Sequence, residues 1–107
     1  MNVHFEYCFE GETDRCFEKL SAHLVAALFT WVGNGKFSTK GEDGRIELTI
    51  DSRFPAHGTI EVRDGRVVAD MVWSGTPKPS EVVIRSVVDE HARVLGLLPA
   101  MMSANVA

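Results

Sequence analysis

Polarity alternates from the first residues of the chain. Val3, Phe5, Tyr7 and Phe9 are apolar, and His4, Glu6, Cys8 and Glu10 intervene. A period of two in β-forming residues predicts a half-buried strand. Gly11-Glu12-Thr13 ends it, and Asp14 is placed to cap a helix. Phe17, Leu20, Leu24, Ala27, Leu28 and Trp31 then recur at helical spacing and share one face. Phe29 falls on the opposite side. The spacing through Trp31 favours a helix to about Val32, with Phe29 an exposed contact residue. The alternative is a strand from Phe29 to Val32 leading into the hairpin signal Asn34-Gly35.

Three later segments return to period two. Ile46, Leu48 and Ile50 alternate with Glu47 and Thr49. Residues 59–63 and 66–73 flank Asp64-Gly65, a pair suited to a two-residue turn. That turn opposes Arg63 to Arg66, Val62 to Val67 and Ile60 to Ala69. One face of the hairpin is then Ile60, Val62, Val67, Ala69, Met71 and Trp73, all apolar. Residues 74–79 break the pattern, and Ser80 fits an N-cap. Ile84, Val87, Val88, His91, Val94, Leu95 and Leu98 form a second helical stripe, with Arg85, Asp89 and Arg93 on the far side. Pro99 is expected to stop this helix at Leu98. Residues 100–107 lack periodicity and read as a loose tail.

The fold expected is α+β: strand, helix, a meander of three or four strands, helix. It forms one domain over residues 1–107, an antiparallel sheet of three to five strands with two helices packed on one face (order β-α-β-β-β-α). Composition agrees, with 45% hydrophobic and 24% charged residues in a chain of 107. Leu24 to Val32 is the longest apolar stretch, too short for a membrane span. Two cysteines are too few for a disulfide framework, and residues 1–10 do not read as a signal peptide. A cytoplasmic protein is expected. The net charge of −4 resides within the first 18 residues, and Lys and Arg are scattered elsewhere. Nucleic-acid binding needs clustered cations, so neither nucleic acid nor membrane is expected as a partner.

Familiar catalytic motifs are absent: there is no Gly-x-Ser-x-Gly, Cys-x-x-Cys or His-Glu-x-x-His. Gly33-Asn34-Gly35-Lys36 lacks the upstream Gly and following Ser or Thr of a phosphate loop. His91 lies within an apolar stripe and should face the sheet. It is either a core histidine satisfied by one partner or a neutral base or ligand. Cys16, in the first turn of the first helix, reads as a small buried hydrophobe unless exposed. His4, Glu6, Cys8 and Glu10 share a strand face that is either wet or half of a cation site; no second ligand cluster is visible, so no metal is expected. Asp43 and Asp70 with Tyr7 are a weak acid-base possibility. The acidic N-terminal end either complements the helix dipole or meets a basic protein.

The leading expectation is a non-catalytic binding or protein-interaction module that self-associates as a homodimer. Val25, Phe29, Val68, Val72, Val82 and Leu97 are surplus apolar residues outside the expected core faces. The alternative is a small-molecule binder or small enzyme whose pocket is lined by His91, Trp73, Met71 and Trp31. No cofactor is expected under either reading.

Overall fold

A computed structural model describes residues 1–32, 35–75 and 80–99. The elements are β1 (Asn2–Cys8), α1 (Thr13–Val32), β2 (Lys36–Glu42), β3 (Arg45–Asp51), β4 (Ala56–Arg63), β5 (Arg66–Trp73), α2 (Glu81–Val94) and β6 (Leu98–Pro99). All strand pairs are antiparallel, in the order β2-β3-β4-β5-β1-β6. The fold is thus α+β, with two helices and six strands where three to five were expected, and the order is β-α-β-β-β-β-α-β and not β-α-β-β-β-α.

The hairpin of β4 and β5 has the register read from its turn: Arg63 opposes Arg66, Val62 opposes Val67 and Ile60 opposes Ala69. Asp64 and Gly65 both take positive φ, 50° and 77°, as a type I′ turn requires. Asp43 and Gly44, at 51° and 76°, repeat the device between β2 and β3. The N-terminal strand β1 then inserts beside β5, pairing Val3 with Met71 and Tyr7 with Val67. Met1 and Trp73 exchange hydrogen bonds in both directions at the start of that ladder.

One sheet face is apolar. Val3, Phe5, Tyr7, Ile46, Ile60, Val62, Val67 and Ala69 are buried there together with Leu20 of α1 and Ile84 and Ala92 of α2. Leu28, fully buried, centres a second cluster with Val32, Leu48, Ala56 and Met71. The opposite face is polar. Opposite charges oppose one another across its strands, as in Lys40 with Glu47 and Glu42 with Arg45.

Two strands escaped the sequence pattern. Lys36–Glu42 is polar, and only Phe37 is even half-buried. It is an edge strand, recruited by its neighbour's ladder and not by burial of its own side chains. At the other end, α2 stops at Val94 and not Leu98. Gly96 takes φ 79°. The Leu97 N–H donates to the Ala92 carbonyl at 2.9 Å and the Gly96 N–H to Arg93 at 3.0 Å, a Schellman ending. The turn buries Leu97 against the core and frees Leu98–Pro99 to pair with Tyr7 and Cys8. Val94, expected in the stripe, is exposed. Ser80 has the extended backbone of an N-cap, but its side chain makes no capping bond. Residues 100–107, expected as a loose tail, lie outside the described residues.

Gly58 of β4 faces the helices between Leu48 and Met71. A Cβ there would stand 2.1 Å from the Asp70 carbonyl oxygen and 2.6 Å from the Met71 sulfur. Backbone cannot yield as a side-chain tip does, so Gly58→Ala is expected to cost about 1–3 kcal/mol by overpacking. Denaturant unfolding measures this; an unchanged midpoint contradicts the packing described.

Candidate functional site

The two helices do not close over the apolar face. Between them and the sheet lies a cleft of about 480 Å³. Its floor includes Ala69, Met71 and Trp73 of β5 and Leu48 and Ile50 of β3. Its walls include Leu24, Ala27 and Trp31 of α1 and Ile84, Val87 and Val88 of α2. Phe54, from the β3–β4 connection, also contributes. No Lys, Arg, Asp or Glu lines it among the described residues; the polar side chains are Tyr7, His23, Ser52, Ser80 and His91.

His23 and His91 link the helices. Nε2 of His23 lies 2.8 Å from Nδ1 of His91, the one hydrogen bond between side chains of α1 and α2 among the described residues. The ring of Trp31 meets His91 edge-on, with centroids 4.7 Å apart. Both histidines are half-buried, and Trp31 is 45% exposed, which places the trio at the rim of the cleft.

The four pocket residues read from the sequence, His91, Trp73, Met71 and Trp31, all line this one cleft. Their settings differ from expectation. His91 does not lie against the sheet: its ring turns to α1 and bonds a second histidine. Trp31 is 45% exposed and does not belong to the buried core stripe, although its ring still meets His91 of α2. His23 was not singled out for this site. Its signal was present, because His23, Ala27 and Trp31 repeat every four residues and so share one line along the helix.

α2 is held to β1 from its other side. The Tyr7 hydroxyl donates to the Asp89 carboxylate at 2.5 Å. Burial, with this bond, pushes the phenol well above its ordinary range, so it stays protonated. Arg85 donates to the His4 carbonyl at 3.2 Å and lies over the Phe5 ring. Of these residues Phe5 and Tyr7 line the cleft, and Asp89 is exposed and does not.

The other candidates do not gather into a site. Tyr7 bonds Asp89, Asp70 bonds His4 on the opposite sheet face, and Asp43 occupies a hairpin turn. His4 also lies 3.2 Å from Glu6, but among the described residues no three His, Cys, Asp or Glu are placed to hold a metal ion. Cys16 is half-buried beside a smaller cavity of about 270 Å³. Burial pushes its thiol up more than Lys19 draws it down, so it carries little thiolate. Both cysteines are free. No helix among the described residues is long and apolar enough to cross a membrane.

Comparison with known proteins returned nothing to set beside this geometry: no family model matches the chain, and no curated protein or solved structure does.

The His4 contacts generate a pH test. Hydrogen bonds to Asp70, then to Glu6, raise its pKa above the ordinary 6.5, against a smaller opposing effect of burial. A raised folded-state value stabilises the protein below the unfolded pKa, and the gain disappears as pH rises through the folded one. His4→Gln should therefore lower the melting temperature more at about pH 5.5 than at about pH 8.5. The difference should be small, because the ring is half-exposed. An equal loss at both pH values contradicts the pairing.

Proposed function

We propose that the chain is a binding protein that takes one apolar small molecule into the cleft between its helices and sheet, with His23 and His91 at the ligand's polar end. The observation that carries this reading is an open, uncharged cleft of about 480 Å³ where two helices over one sheet would ordinarily close a core. That size lies within the range of small-molecule sites, roughly 300–1,000 Å³, and such sites combine an apolar lining with a few polar groups. Liquid water fills about 30 Å³ per molecule, and a methylene is of similar bulk, so a chain of roughly 12 to 16 carbons fits the space. We propose a non-catalytic role, which is supported by a lining that holds no carboxylate among the described residues. Free cysteines suit a reducing, cytoplasmic setting.

Self-association has separate support. Phe29, Val82, Val94 and Leu98 are exposed at 71%, 77%, 73% and 62%. Of the remaining surplus residues, Leu97 is buried, and Val25, Val68 and Val72 are half-buried, so the exposed set is smaller than the sequence suggested. We propose that these side chains meet a second copy. Sedimentation equilibrium should give a mass above the 11.8 kDa of one chain, shifted down by Phe29→Ser with Val82→Ser. A monomer at high protein concentration rejects self-association and leaves the cleft reading intact.

The cleft reading is tested with neutral n-alkyl alcohols from hexanol to dodecanol. Each methylene leaving water contributes ~0.8 kcal/mol, so affinity should tighten about fourfold per carbon until the cleft is full. Trp31 and Trp73 line the site, so their fluorescence reports binding. Met71→Trp, which fills the floor, should abolish the response while the circular dichroism stays native. No saturable binding by any alcohol rejects the reading.

A further inference from the structure

We propose that the natural ligand of the cleft is a single-chain carboxylic acid, bound as the carboxylate, and that the His23–His91 pair takes up one proton to hold it. This deepens the cleft reading and rests on it.

Two neutral imidazoles carry two protons on four nitrogens. One proton must lie in the 2.8 Å contact between His23 Nε2 and His91 Nδ1. The other sits on an outer nitrogen. In either tautomeric arrangement the outer nitrogens, His23 Nδ1 and His91 Nε2, therefore present one donor and one acceptor. Among the described residues neither ring makes a second hydrogen bond, so both outer positions are open to a ligand. A third proton leaves the contact intact, because one ring still accepts within it, and converts both outer nitrogens to donors. Either outer nitrogen of the singly charged pair can then donate to a carboxylate, which accepts only. A fourth proton places two N–H groups against each other in the contact and breaks it.

The surroundings decide which state a ligand selects. Among the described residues of β1, β3, β4, β5, α1 and α2 no charged side chain enters the lining, and Tyr7, the other titratable group there, keeps its proton and donates it in a hydrogen bond to Asp89. On the helices themselves Lys19 precedes His23 by one turn, and Asp89 and Glu90 adjoin His91; all three are exposed, Asp89 accepts from Tyr7, and none lines the cleft. A carboxylate carried in on an alkyl chain would thus meet no permanent cation within the cleft. A buried charge without a partner is costly. The pair is the one group in the lining able to become that partner near neutral pH. The proton comes from solvent and returns there on release, and no bond to carbon forms or breaks.

The test compares dodecanoate with dodecanol on the full chain by titration calorimetry in two buffers of different ionisation enthalpy. Dodecanoate is expected to bind with uptake of about one proton at pH 7.5, and its affinity should fall about tenfold per pH unit on the alkaline side. Dodecanol should bind with no proton uptake and no pH dependence. His91→Gln and His23→Gln should each remove the pH dependence of dodecanoate and weaken it at least tenfold, while dodecanol binding persists, which shows the variants folded. Dodecanoate binding without proton uptake, or dodecanol binding alone, overturns this inference and leaves the apolar cleft standing. Failure of both ligands to bind overturns the two together.

Discussion

Strands lie about 4.8 Å apart, so six of them span about 24 Å between outer axes. A helix with its side chains is about 10 Å across. Two helices can cover such a face only if they lie side by side at the usual 8–10 Å and are centred on it. Here they are not paired in that way. α1 is drawn toward β2 and β3, where Phe29 meets Phe37 edge-on at 5.1 Å and Phe17 crosses above Gly41. α2 is drawn toward β1. The space over the apolar floor between them, with Ala69, Met71 and Trp73, is left unfilled, and the cleft is the consequence.

What draws α2 outward is polar. Its core contribution is modest, with Ile84 and Ala92 the buried residues of its 14. Its position is fixed by Tyr7 to Asp89, by Arg85 to the edge carbonyl of His4, and by the Schellman turn that inserts Leu97. Arg85 also answers a local need. β1 pairs with β5 along its whole length, but β6 covers only Tyr7 and Cys8 on its other edge. The His4 carbonyl would otherwise be open to another strand. One side chain therefore positions the helix and blunts the edge. Hydrogen bonds of this kind define direction more sharply than apolar contact, which is non-directional. That is why α2 can hold its place with a void beside it.

The layout was legible in the sequence wherever burial wrote a period into it. The β4–β5 register, the extent of α1 to Val32, and the exposed side of Phe29 all came from alternation, turn residues and helical spacing. β2 left no such trace, because an edge strand with both faces wet gains its order from a neighbour's backbone. The end of α2 was misread for a related reason. Pro99 marks where a helix must have ended, but Gly96 ended it three residues earlier, and apolar spacing runs on through Leu95 and Leu98 although the chain has changed direction. Of the residues that line the cleft, Trp31, Met71, Trp73 and His91 were conspicuous in the sequence, as large apolar side chains and a histidine on a stripe. The partner of His91 was not. Pairing between two helices depends on their rotation and separation, which period alone does not encode; only the His23-Ala27-Trp31 line hinted at it.

A histidine pair at this position also resolves a conflict between access and closure. Were both residues leucine, the helices would gain by moving together, since apolar side chains attract without regard to direction and the void between them forfeits dispersion contacts. Imidazoles joined nitrogen to nitrogen impose a separation and an orientation, because the contact at 2.8 Å weakens if the rings approach or tilt. Trp31 stacked edge-on against His91 limits rotation of the ring. The pair thus acts as a spacer whose outer nitrogens face water when the cleft is empty, so that neither is buried without a partner. A protein selected only for stability would have little use for it. The same 107 residues could bury more apolar surface by closing the gap, and the polar contacts that hold α2 away from α1 oppose that closure. Specific interactions flank the void on both of its sides, at Asp89 and Arg85 on one and at His91 on the other.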